Sequence, residues 1–280
     1  MITYLLQYEF LQNTFLTGLI IGVVAPVLGV FIVVRRLSLI ADALSHVTLS
    51  GIAAGLLISK KWSLFAGIQP IYFGMFFSVA GALLIEKLRS VYKHYEELAI
   101  PIMLSGGIGL GIIFISLADG FNTDLFNYLF GSVSAVSRND LIIIAIISVA
   151  ILFVVTFLYK ELFLLSFDEE HAKASGIAVK SIHFVFIILV ALVISISMRI
   201  VGILLVSALM TLPVAASIRV ARGFFQTIIL SIIFGELAVF TGLVTAFYLD
   251  LAPGGTIVIS SILILVGTIA IKRLKNAWAK

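Results

Sequence analysis

Cysteine is absent from all 280 residues, which removes both a disulfide framework and thiolate metal ligation. Any metal must then be held by histidine, aspartate, glutamate or neutral oxygens, a donor set that suits borderline or hard divalent ions. Charge is scarce too. Asp, Glu, Lys and Arg make up 11% of the chain, against roughly 25% in a soluble domain, while 62% is hydrophobic. That balance excludes a soluble fold and predicts an all-α polytopic membrane protein in the cell membrane. No G-x-x-x-x-G-K-[ST] occurs, so the chain has no nucleotide-binding loop of its own. A formal charge of +4 does not imply a nucleic-acid partner, because the basic residues lie mostly between apolar runs, where they specify topology. The opening stretch, MITYLLQYEFLQN, lacks a basic n-region and a small-residue cleavage site, so no removable signal peptide is expected.

What the chain does have is apolar runs near the roughly 20 residues needed to cross a bilayer. About nine occur, at 14–34, 38–58, 63–85, 98–118, 139–159, 182–198, 200–218, 224–249 and 254–271. The sixth and seventh are nearly continuous, divided only at Met198-Arg199, so the count is eight or nine in one domain covering 1–280. Placing Arg35/Arg36, Lys87–Lys93, Lys160–Lys180, Arg219/Arg222 and the C-terminal lysines inside puts the N-terminus outside. Lys60/Lys61 then falls outside, against the rule. The acidic loop at 119–124 sits outside comfortably.

The stretch 35–51, RRLSLIADALSHVTLSG, carries the first candidate site. Asp42 and His46 are four residues apart, about one helical turn, so both leave one face and can meet one divalent cation. An ionisable residue inside lipid costs roughly 2.5–3.5 kcal/mol on insertion scales, so such pairs usually line a bundle interior or a polar path. A buried Asp–His hydrogen bond that only fixes packing, or a proton relay, accounts for the pair equally well at this stage. Glu236, midway along the eighth run, is the other deeply placed acid and a possible third group on the path. His94, His171 and His183 lie in or beside cytoplasmic connections and are expected to be solvated or to face a partner.

Two connections are not spans. Residues 122–138, NTDLFNYLFGSVSAVSR, suit an interfacial or re-entrant helix at the outer mouth, ended by a left-handed cap at Gly131. In the longest cytoplasmic connection Asp168, Ala172 and Gly176 recur at four-residue spacing, which predicts a short helix around 166–178 with a small-residue face, ended by glycine. A small exposed face suits a shallow knob entering a partner's groove, and a solvated loop helix that contacts nothing accounts for the spacing equally well. Gly22, Pro26 and Gly29 in the first run and Gly106, Gly107, Gly109 and Gly111 in the fourth permit close helix contact, and Pro213 predicts a kink in the seventh.

Four motifs in order, SLIADALSHVTLSG at 38–51, DEEHAKASG at 168–176, VGILLVSALMTLPVAA at 201–216 and LDLAPGGTIV at 249–258, resemble the membrane permease of ATP-binding-cassette importers for zinc and manganese. The resemblance spans most of the chain. It implies a type II importer fold, a second permease copy completing the path, two cytoplasmic ATP-binding subunits and an extracytoplasmic metal-binding lipoprotein. It also implies Mn²⁺ or Zn²⁺ as transported substrate with no tightly bound cofactor. Asp42 and His46 match the family's metal-contacting residues. Asp168, Glu169, Glu170, Ala172 and Gly176 match the helix that couples to the ATPase, so the chain is expected to be a transport subunit and not an enzyme.

Two other classes compete. An ion-gradient-driven secondary transporter would use Asp42 and His46 as a proton or ion relay, but would favour matching interrupted spans in two inverted halves, and none is visible. An intramembrane metalloprotease would need something like H-E-x-x-H, and His46 is the only histidine deep within a span, His183 standing near the end of its own.

Overall fold

The computed structural model describes residues 7–65, 67–118, 120, 123–132 and 136–278. Residues 1–6, part of the stretch from which no signal peptide was expected, and 119, 121 and 122 of the acidic outer loop lie outside the described residues. Every regular element among the described residues is helical: α1 (Glu9–Val34), α2 (Ser38–Lys61), α3 (Pro70–Val91), α4 (Ala99–Leu117), α5 (Thr123–Phe130), α6 (Arg138–Phe157), α7 (Tyr159–Phe167), α8 (Glu169–Ala174), α9 (Val179–Val201), α10 (Ile203–Val220), α11 (Phe224–Leu249) and α12 (Pro253–Trp278), with short 3-10 turns at Ser63–Phe65 and Glu96–Leu98.

Eight of them, α1, α2, α3, α4, α6, α9, α11 and α12, are long and apolar enough to cross a membrane, and α10 adds a shorter apolar stretch, Val206–Val220. Together they account for the nine runs. The division of the sixth and seventh runs differs from the expectation: α9 continues through Arg199 to Val201, and the chain turns at Gly202, φ +80°. Arg199 does not break the helix because its guanidinium has partners at the bundle rim, Asp140 and Gln69. Gly202 turns it because a left-handed φ is cheap only without a Cβ.

The short α5 ends as expected at Gly131, φ +79°. It docks on the α9–α10 break so closely that a Cβ on Gly202 would run into the Leu129 carbonyl oxygen, and one on Gly131 into the Ile200 carbonyl oxygen. Local signals set other helix starts. Pro70 opens α3 with its fixed φ, and Ser137 and Asp140 form a reciprocal capping box on α6.

The layering follows burial. The apolar windows of α1, α2 and α9 are mostly buried, whereas those of α4, α6 and α12 are buried over less than a third and turn large apolar side chains outward. Phe153 and Phe157 on α6 are 69% and 76% exposed, which is the behaviour of a lipid-facing surface. Within the bundle, small residues set the approach. Gly22 and Gly29 on α1 meet Glu236 on α11 and Met210 on α10, Gly235 on α11 meets Pro26, and Gly107 on α4 meets the backbone of α2 at Val47. Because apolar burial does not distinguish a neighbouring helix from a lipid tail, such close packing is what holds these helices together.

Candidate functional site

The site begins with how α2 is enclosed. It packs against α3, α4, α10 and α9, and from Ile40 to Gly55 every residue is buried except Asp42 and His46, which keep partial exposure. Glycines bring the flanking helices this close: an added Cβ on Gly107 would stand 2.8 Å from the Val47 nitrogen and 3.1 Å from the His46 carbonyl carbon, and one on Gly81 2.7 Å from Val47 Cγ1. The one face of α2 left open is therefore the face that carries both ionisable side chains.

The hydroxyl groups around them are spent on the helix itself. Ser45 Oγ donates to the Ala41 carbonyl at 2.8 Å, Thr48 Oγ1 to Leu44 at 2.6 Å and Ser50 Oγ to Val47 at 2.9 Å. Among the described residues neither the Asp42 nor the His46 side chain forms a hydrogen bond or ion pair, with each other or with a third group. A purely structural Asp–His hydrogen bond is thus not formed here. Nor does a single copy hold a full ligand set: among the described residues no group of three or more His, Cys, Asp and Glu is placed to hold one metal ion. The arrangement offers one carboxylate and one imidazole, both free and half-open, which suits transient capture of a divalent ion better than permanent retention.

Glu236 is not brought to this pair. It lies on α11, which packs on α1, α10 and α12, and its Oε1 is buried against Gly22 without a hydrogen-bond partner.

The long connection between α6 and α9 forms α7 and α8. Asp168 caps α8 by accepting from the His171 backbone N–H at 2.8 Å, and Gly176, φ +81°, ends it as the spacing predicts. Ala172 differs from expectation. It is 0% exposed, packed with Leu165 and Val179, so it seats α8 on the protein's own surface instead of projecting as a knob. Every residue of α8 but Ala172 is turned outward: Glu169, Glu170, His171, Lys173 and Ala174. Lys173 pairs with Glu169 at 2.7 Å and holds that carboxyl below the usual glutamate range, while Glu169 raises the Lys173 ammonium.

His183 was expected to be solvated or partner-facing and is instead 5% exposed. Its Nδ1 lies 2.7 Å from Arg35 Nη2 and its Nε2 lies 3.1 Å from Glu86 Oε2, with Arg89 against the same edge of the ring. Sequence held a usable signal: Arg35, Arg89 and His183 all sit at span ends that the topology assigns to one side.

A model of the ABC 3 transport family matches residues 7–272. The manganese import system permease protein ScaB of Streptococcus parasanguinis is 34% identical over 275 residues, 98% of this chain and 95% of that protein. The manganese transport system membrane protein MntC of Listeria monocytogenes is 34% identical over 260 residues, covering 93% and 90%. Among solved structures, PsaBC from Streptococcus pneumoniae in complex with Fab superposes with a TM-score of 0.82 at 32% identity, covering 95% of this chain and 93% of that one.

Proposed function

The chain belongs to the ABC 3 transport family, and from that premise we propose that it is the membrane permease through which an ATP-driven importer moves manganese. It is a multi-pass cell-membrane transport subunit and not an enzyme, consistent with its lack of a nucleotide-binding loop. The choice of manganese over zinc is supported by the substrates in the names of ScaB and MntC, since carboxylate and imidazole ligands accept either ion.

One observation carries the mechanism: the open face of α2 presents Asp42 and His46 with no other partner. In this reading a second copy of the chain brings a second Asp42/His46 pair to a shared axis, and the ion is bound while the two faces meet. Separation of the faces leaves each copy with two ligands, too few to retain it, so the ion can leave. ATP-binding subunits, two per permease dimer, would move the faces through α8, by Glu169 and Glu170 on its outward side and Asp168 and Gly176 at its ends, with Ala172 seating the helix on the bundle. An extracytoplasmic metal-binding lipoprotein would deliver the ion. An ion-gradient relay would need further titratable groups in succession, and Glu236 is packed away from the pair.

The test is manganese uptake by the reconstituted complex, with zinc as competitor, in Asp42→Asn and His46→Gln. Both variants should insert and assemble normally while uptake falls to background. Wild-type uptake in both would overturn the path, and stronger competition by zinc than by unlabelled manganese would overturn the choice of metal.

A further inference from the structure

At the inner end of the bundle, away from the Asp42/His46 face, lies a cavity of about 250 Å³. Its wall is formed by Arg35 at the α1–α2 junction, Arg89 and Lys93 at the end of α3, Lys173 on α8, and Lys180 and His183 at the start of α9. Three carboxylates share it, Glu86, Glu96 and Glu169. Two of the cations are neutralised within the protein: Arg89 pairs with Glu96 at 2.7 Å and stands 3.7 Å from Glu86, and Lys173 pairs with Glu169 at 2.7 Å.

Arg35, Lys93 and Lys180 have no carboxylate partner among the described residues. Arg35 is the most exacting of the three. One arm of its guanidinium is spent on His183, and the other, Nη1, is buried with no acceptor. Burial, followed by the neighbouring Arg89, lowers its pKa to about 10, so its charge is held where solvation is poor. Ala178 also supplies no side-chain cap to α9, so the first turn of that long helix adds its partial positive charge to the same wall.

Cations converging from three separate chain segments fit an anion with several acceptor oxygens better than a single carboxylate. The ends of α3 and α9 also stand at the level where a helix leaves the hydrocarbon for the inner headgroups. We propose that this cavity binds a phosphate group, presented by an anionic phospholipid of the inner leaflet or by free phosphate. Because Glu169 and Lys173 of α8 line the same wall, occupancy braces α8 against α3 and α9. The site rests on the inward placement of this end of the bundle and is independent of the ion that is transported.

The experiment uses the full chain, delipidated in detergent and then offered phosphatidylglycerol or phosphatidylcholine, with retained lipid counted by native mass spectrometry. A parallel arm titrates inorganic phosphate and follows thermal unfolding. Phosphatidylglycerol should be retained in preference to phosphatidylcholine, and the double variant Lys93→Gln/Lys180→Gln should weaken that retention roughly thirtyfold, from the usual contribution of two lysines near an anionic surface. Selective lipid retention without a phosphate effect assigns the site to a headgroup, and a saturable phosphate effect lost in the double variant assigns it to free phosphate. Arg222→Gln, exposed on the same side but outside the cavity, should behave as wild type. Equal loss in Arg222→Gln, or wild-type retention in the double variant, would overturn the site. So would normal lipid binding in a double variant that no longer binds the ATP-binding subunit, since the cavity would then be a protein contact.

Discussion

Arg199 on α9 and Asp140 on α6 form an ion pair at one rim of the bundle, with side chains only 12% and 7% exposed. Asp140 also accepts from the Ser137 backbone N–H at 3.0 Å and its hydroxyl at 2.6 Å, while Arg199 donates to Gln69 at 2.6 Å. One pair thus ties the starts of α3 and α6 to the end of α9. Removing one partner leaves the other charge poorly solvated and uncompensated, so Asp140→Ala should cost about 3 kcal/mol. The midpoint of chemical unfolding of the purified chain measures it. Asp140→Ala combined with Arg199→Met should be less damaging than Asp140→Ala alone, and an equal or greater loss would mean the pair is not the source.

Gly29 and Gly109 make a second contrast. A Cβ on Gly29 would collide with the Met210 carbonyl oxygen of α10, whereas Gly109 on α4 has open space there. Backbone cannot yield as a flexible side chain can, so Gly29→Ala should destabilise by about 2 kcal/mol or more. Gly109→Ala should stay within about 0.5 kcal/mol in the monomer. If α4 offers its open face to a second copy, Gly109→Leu should lower the dimer fraction in light scattering without changing monomer stability. An unaltered dimer would place the interface elsewhere.

Much of this was legible in the residues. The nine apolar runs, the glycine caps at Gly131 and Gly176 and the Asp42/His46 face follow from hydropathy, backbone preference and helical spacing, all of which act locally. The break at Gly202 was misplaced at Arg199 because an arginine reads as a boundary until its partner is known, and Asp140 lies 59 positions away. The inward turn of Ala172 was missed for a related reason. A small-residue face of a short helix looks the same in sequence whether it meets a partner or the chain's own Leu165 and Val179. His183 needed two partners, Arg35 and Arg89, from two other helices' ends.

The burial of Ala172 changes what a substitution there reports. Ala172→Trp has no room beside Leu165, Val179, Ile177 and Ile182, so it should unseat α8, accelerate amide exchange in α7–α8 and prevent co-purification of the ATP-binding subunit. Glu170→Lys reverses a charge on the outward side and should reduce co-purification alone, with exchange unchanged. Normal assembly in Glu170→Lys would remove the outward face of α8 from the interface.

Because the chain holds no cysteine, single-cysteine variants report its orientation without background. The alternation of spans puts the α2–α3 and α11–α12 connections outside and the α3–α4 and α10–α11 connections inside. Lys61 and Leu251, both exposed, therefore should label in intact cells with a membrane-impermeant maleimide after Lys61→Cys or Leu251→Cys. Tyr95→Cys and Arg222→Cys should label only after the membrane is opened. Lys60/Lys61 is the one basic pair that the orientation places against the positive-inside rule, so Lys61 is the most demanding position of the four. The inverse pattern would put Arg35, Arg89 and α8 outside together, since they meet around one cavity, and would remove both the coupling role of α8 and the inner-leaflet phosphate site in a single measurement.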